Sequence, residues 1–222
     1  MRKAIFLLTT ALVLTSEFAY SQNSIKRPDT YNYNRGLEEL RNENYDDALI
    51  YLNKEVESDP KNGYAYSWIA MIRHTQEEYG RALTSADLAL KKLPKKDSEF
   101  IAATYNIRAG VYLALEDTIK ALNDYASAIK VCPTDDNAYE KRAQIYYEQK
   151  NYELADNDYK QLIKLDQGGV MGYMGIGRNR NAQKQWDEAI EQFNFVANMY
   201  NDYSSAYSFR AEAYIGKEKW AE

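Results

Sequence analysis

Five alanines, Ala48, Ala82, Ala121, Ala155 and Ala189, recur along this chain at intervals of 34 residues, with one interval of 39. Each follows by three residues Tyr45, Tyr79, Thr118, Tyr152 or Trp186. A fixed period of this length means one helix-turn-helix unit copied and stacked, because a single unit cannot bury its apolar face alone. The period therefore predicts an all-α chain and shifts expectation from catalysis towards holding something.

Counting each unit so that this alanine is position 20, position 8 holds Gly36, Ala70, Ala109, Ala143, Gly177 and Ala211, all small. Position 4 holds Tyr66, Tyr105, Tyr139, Tyr173 and Tyr207, with Asn32 in the first unit. Pro60, Pro94 and Pro133 fall at position 32, where a residue without an N–H ends the second helix; Gln167 and Asn201 replace it later. Small residues at positions 8 and 20 let two helices cross closely, and aromatics at positions 4, 11, 17 and 24 fill the space between hairpins. Core packing thus accounts for most of the 21 tyrosines.

These residues closely resemble the tetratricopeptide repeat (TPR), whose pattern is aromatic-leucine-glycine-tyrosine in one helix, then alanine, aromatic and proline in the next. The resemblance covers residues 29 to 222, with units starting near Asp29, Gly63, Ala102, Asp136, Val170 and Ser204. It implies a right-handed superhelical solenoid of antiparallel helix pairs, five full repeats plus the first helix of a sixth. The five extra residues of the long interval lie between Lys95 and Ile101. Asp97 or Ser98 can cap a helix there, so the third repeat is expected to begin early rather than follow a long loop.

Residues 1–21 read as a secretory signal: Arg2 and Lys3, an apolar run from Ala4 to Leu14, then Ala19-Tyr20-Ser21 before Gln22. The run is shorter than the roughly 20 residues a membrane span needs, and no cysteine follows to carry a lipid. The expected product is exported, periplasmic or extracellular, with a polar, loose leader over residues 22–30 and the solenoid over 31–222. Loss of Arg2, Lys3 and Glu17 leaves 26 basic against 32 acidic residues, a net charge of −6. That argues against nucleic acid, which requires a concentrated basic face; Lys91, Lys92, Lys95 and Lys96 read instead as a solvated helix end.

Cys132 is the only cysteine and His74 the only histidine. One thiol cannot close an internal disulfide, and burial at a helix end is the expectation for it. With these two the only nitrogen and sulfur ligands of their kind, no metal or other cofactor is expected. His74 lies more than a full repeat from Cys132, and acidic pairs such as Asp46/Asp47 and Asp135/Asp136 sit at helix starts. No catalytic residue is assigned. Gly168, Gly169, Gly172, Gly175 and Gly177 crowd the fifth repeat without the strand or Gly-Lys-Ser/Thr ending of a phosphate loop. Either that helix is soft, or Gly172 and Gly175 let a partner's backbone come close.

In the TPR family the inner wall is lined by positions 2, 5, 6, 9, 12 and 13 of the first helices, and peptide ligands lie along it. The resemblance therefore assigns a partner-binding groove to Tyr33, Leu37, Tyr64, Trp68, Met71, His74 and Ile107, an apolar end, and to Lys141, Gln144 and Arg178 in a polar continuation. The lysines, asparagines and arginine with which one subfamily grips chaperone tails are matched here by Tyr33, Leu37, Trp68, Ala103 and Ile107, so that ligand is disfavoured. The expected function is a non-catalytic scaffold or adaptor of the cell envelope that binds a protein or peptide segment. Alternatives are that Tyr33, Leu37, Trp68 and Met71 are covered by the chain's own leader, that the segment is the N-terminal docking or sensory part of a longer exported protein, or that the aromatics stack on glycans. Trp220-Ala221-Glu222 mirrors Trp186-Asp187-Glu188, which predicts a natural chain continuing with alanine, or else self-association through the C-terminal end.

Overall fold

The computed structural model describes residues 25–165 and 169–221, and side chains as far as Glu218. The expected signal at 1–21, Gly168 and the side chain of Trp220 lie outside these residues. Among the described residues all regular structure is α-helical: α1 Tyr31–Arg41, α2 Tyr45–Ser58, α3 Gly63–Thr75, α4 Tyr79–Lys92, α5 Ser98–Ala114, α6 Thr118–Val131, α7 Asp136–Glu148, α8 Tyr152–Leu165, α9 Val170–Ala182, α10 Trp186–Met199 and α11 Ser204–Ala221. None of these helices is long and apolar enough to cross a membrane. They pack as consecutive hairpins in two compact units, the first ending at Cys132 and the second beginning at Pro133.

The period places the helix boundaries. Every second helix of a pair, α2, α4, α6, α8 and α10, begins on the position-17 residue, and Pro60, Pro94 and Pro133 each follow a helix end by two residues. The position-20 alanines are fully buried. Asp97 caps α5 by accepting from the Phe100 amide, so the long interval adds a helical turn, as its cap residues suggested. Cys132 is buried where α6 ends.

Glu43, Glu77, Glu116, Lys150 and Lys184 stand at one register, position 15, and all adopt φ near 60°. Each lies between the helices of a pair, with its amide bonded to the carbonyl three residues back and the next amide to the carbonyl five back, as in Glu77 N to His74 O and Glu78 N to Arg73 O. This doubly bonded left-handed turn usually carries glycine. Here charged residues hold it at a cost of roughly 1 kcal/mol each, offset by packing of the helix that follows. Glu218 occupies the same register in the sixth repeat, yet α11 runs straight through it.

Candidate functional site

In the first unit the inner wall comes from α1, α3 and α5, and it is filled by the chain itself. Trp68 Nε1 donates to the Tyr33 hydroxyl at 3.0 Å, and the Trp68 ring meets Phe100 edge-on at 5.7 Å. Tyr64 also meets Phe100 edge-on, at 4.8 Å, and its hydroxyl donates to Asp97 at 2.9 Å. The leader closes over them: the Arg27 guanidinium lies on the Phe100 face and bonds Asp97, and Thr30 donates to buried Glu55 while capping α1. Residues 27–30 are thus pinned rather than loose. Burial pushes the Tyr33 hydroxyl up to about 12 and raises that of Tyr64 too, where the hydrogen bond to Asp97 adds to it.

Tyr33, Tyr64, Trp68 and Met71 are consequently only 3–4% exposed, and Leu37 and Ile107 pack partly buried against them. His74 is half-buried, with its Nδ1 buried and unpartnered among the described residues, and burial lowers its pKa. A Cβ at Gly110 would sit 2.9 Å from the His74 ring, so the glycine makes room for it. These residues form core, where the family resemblance implied an open apolar bed. The missed signal was Phe100: it lies two helical turns before Ile107, on the same face, and the inserted turn carries it over Trp68.

The second unit keeps polar chemistry on the corresponding wall, made by α7, α9 and α11. Arg178 lies between two aromatic rings, its Cζ 4.8 Å from the Tyr147 centroid and 5.6 Å from that of Phe209. Its Nη1 reaches Gln144 Oε1 at a long 3.5 Å, and Gln144 in turn donates to Glu148 at 2.8 Å. Among the described residues Arg178 has no carboxylate partner, unlike Arg108, Arg142 and Arg180. Asn181 donates to the Phe209 carbonyl at 3.1 Å, and its buried Oδ1 has no partner among the described residues. Lys141 sits 3.7 Å from Glu140, and burial pulls its pKa down against that carboxylate's opposite effect. The structure therefore brings Gln144 and Arg178 together and holds Lys141 on the same helix as Gln144, against Glu140.

The glycines of the fifth repeat serve the chain's own packing. A Cβ at Gly175 would lie 2.4 Å from the Tyr159 ring, one at Gly172 2.5 Å from Ile163, and one at Gly177 2.5 Å from Phe193. The close approach is thus made by α8 and α10 of the same chain, at Gly172 by the Tyr159 carbonyl as well as by a side chain, and α9 is an unbroken helix from Val170 to Ala182. Buried and set against Arg178, Tyr159 has its hydroxyl raised to about 12, burial being the main cause.

Sequence reasoning also missed a paired charge. Position 7 and position 23 hold Arg108 and Asp124 in the third repeat, and Arg142 and Asp158 in the fourth. In both, Nε and Nη2 clamp the carboxylate at 2.7–2.8 Å, joining the two helices of the hairpin. The fork holds both guanidiniums' pKa values up, the aspartate hydrogen bond first. The i, i+16 spacing of Arg and Asp was the available signal. No group of His, Cys, Asp and Glu among the described residues is arranged to hold a metal ion.

Family models described as tetratricopeptide repeat match residues 33–97 and 136–168. The small glutamine-rich tetratricopeptide repeat-containing protein 2 of Saccharomyces cerevisiae is 30% identical over 112 residues, which are 50% of this chain and 32% of that protein. The chain spans about a third of the length of the curated relatives it matches. A crystal structure of a tetratricopeptide repeat protein from Parabacteroides merdae superposes with a TM-score of 0.71 at 22% identity, covering 86% of this chain and 73% of that one. YrrB, described as a TPR protein with an unusual peptide-binding site, superposes at 0.62 with 16% identity, over 86% and 95%. The models fall on hairpins whose boundaries, buried position-20 alanines and doubly bonded turns repeat in register, and the helix pairs within residues 33–97 and 136–168 are tetratricopeptide repeats.

Proposed function

We propose that this chain is a non-catalytic protein-binding scaffold or adaptor that holds a segment of a partner along the α7–α9–α11 wall, with a carboxylate of that segment paired to Arg178. The observation that carries this reading is the Arg178 guanidinium, stacked by Tyr147 and Phe209 and left without a counter-charge among the described residues. Two rings fix the fork before the ligand arrives, so little rotamer freedom is lost on binding. A carboxylate entering there exchanges water for charge-assisted hydrogen bonds beside two apolar faces. Gln144, which Arg178 Nη1 reaches, stands beside it to meet a peptide amide. The peptide-binding site in the description of YrrB is in keeping with this reading.

Selection of random peptides on the immobilised protein tests it. An acidic residue at one fixed position should be enriched, and Arg178→Met, which keeps the stem and removes the charge, should abolish that preference. Selected peptides without an acidic position, or bound equally by the variant, would refute the reading.

The setting we infer is the cell envelope, reached through the signal-like residues 1–21; N-terminal sequencing of secreted product should find Gln22 first, and retention of Met1 would count against export. A second reading, a docking or sensory segment of a longer exported protein, is favoured by relatives about three times the length of the matched part. The complete reading frame decides it.

A further inference from the structure

The leader is tied down without being packed in. Residues 25–30 run along the first unit, and none of them is buried. A cavity of about 510 Å³ lies beside this stretch, with Lys26 and Pro28 on one side and Glu55, Asn62, Gly63 and Lys92 on the other. Polar bonds hold the segment: Thr30 donates to Glu55 at 2.6 Å, and Arg27 Nε to Asp97 at 3.3 Å, with Glu99 3.9 Å from Arg27 Nη2. Lifting a segment attached in this way exchanges its hydrogen bonds for water and exposes little apolar surface of its own.

The groups beneath it select what can replace it. Asp97 is 1% exposed; the Tyr64 hydroxyl and the Phe100 amide donate to it, and Arg27 brings a positive charge. The same guanidinium lies over the Phe100 ring, 5.5 Å from Cζ to the centroid. A carboxylate buried to this degree is costly without a cation beside it, so an apolar segment is a poor substitute. A lysine supplies charge but no plane to lie on the ring. Pro28 keeps Arg27 in extended backbone, and α1 begins only at Tyr31, so the arginine is presented by a strap and not by a helix.

We propose that Asp97 and the Phe100 face form a docking site for an extended, arginine-bearing segment of a partner protein, and that the leader occupies this site as an internal stand-in. Arg27 gives way by turning about Asp29 and Thr30, while Thr30 stays in place as the cap of α1. The incoming guanidinium takes over the bond to Asp97 and the ring, with Glu99 at the rim. Its flanking backbone has the neighbouring cavity to lie in. The tether raises the local concentration of Arg27, so a segment from outside binds the intact chain more weakly than a chain without that arginine. This site takes a cation where the Arg178 wall takes an anion, and it stands independently of that reading.

The test uses the 222-residue chain and a synthetic peptide of residues 24–30, blocked at both ends and followed by NMR. The chain carrying Arg27→Ala should bind the peptide at least ten-fold more tightly than the unaltered chain, with amide shifts centred on residues 97–101. Arg27→Gln in the chain, which keeps a planar polar end without the charge, should give the same gain, so that a gain confined to the alanine variant would count against the proposal. A peptide carrying Arg27→Lys should bind more weakly, and one carrying Arg27→Ala not at all. Equal affinity of altered and unaltered chains, indifference to the peptide's arginine, or shifts confined to residues 136–218 would overturn the proposal. So would a concentration-dependent dimer of the unaltered chain in sedimentation that is lost in Arg27→Ala, because the occupant would then be the leader of a second copy.

Discussion

The two units treat the same repeat positions in opposite ways. Position 6 holds Trp68 in α3 and Gly175 in α9; position 9 holds Met71 in one and Arg178 in the other. In the first unit both large residues are buried; Phe100 from the inserted turn meets Trp68 edge-on, and Arg27 from the leader lies on the Phe100 ring. In the second, the glycine admits Tyr159 from behind, and the arginine stays on the wall between two rings. A position on a helical repeat is thus a direction, and what stands opposite decides whether it becomes core or contact.

The largest expected effect separates these roles. Trp68→Ala should lower stability by about 3–5 kcal/mol in a urea or thermal melt, as for other buried aromatics. Arg178→Met should cost less than about 1 kcal/mol, the range of a partly exposed cation–π contact. Similar losses for the two variants would erase the distinction between a filled wall and an open one.

Gly175→Ala should destabilise by about 1–3 kcal/mol, since its methyl would overlap the Tyr159 ring. Gly80→Ala, where an added Cβ meets nothing within 4 Å, is the control and should not destabilise. A neutral Gly175→Ala would return the soft-helix reading.

A pH titration sharpens the contrast differently, because the only histidine belongs to the first unit. Burial lowers the His74 pKa from its ordinary 6.5. Above 6.5 the ring is neutral in both states and costs nothing. As pH falls below 6.5 the unfolded chain takes up the proton first, so stability drops until the folded pKa is passed. The slope is at most about 1.4 kcal/mol per pH unit, and His74→Asn should remove it between pH 6.5 and the onset of carboxylate titration. An unchanged profile would place the acid response elsewhere.

The smallest effect is one in which the units should agree. Glu77→Gly in the first unit and Lys150→Gly in the second should each stabilise by roughly 1 kcal/mol or less, relieving the left-handed backbone. Loss of stability in either would mean that the side chain contributes more than its strain.

Much of the architecture was legible in residues 29 to 222 because the repeat is written in local chemistry. Small residues at positions 8 and 20 mark crossings, aromatics at 17 open second helices, and Pro60, Pro94 and Pro133 stand just past helix ends. Asp97 marked the early start of α5 through its cap. The candidate groove was less legible. Register placed Tyr33, Trp68 and Arg178 on the inner wall, but register carries no information about a neighbouring segment such as residues 27–30.

The sequence by itself determined the period, the helix boundaries and the small-residue crossings, since these depend on propensities and contacts a few residues apart. Tertiary structure alone decided that Phe100 and Arg27 close the apolar end, that Tyr159 fills the space over Gly175, and that Arg178 has no carboxylate partner among the described residues. Those outcomes depend on which side chain from a distant helix reaches the site first, and the 34-residue period is silent about that.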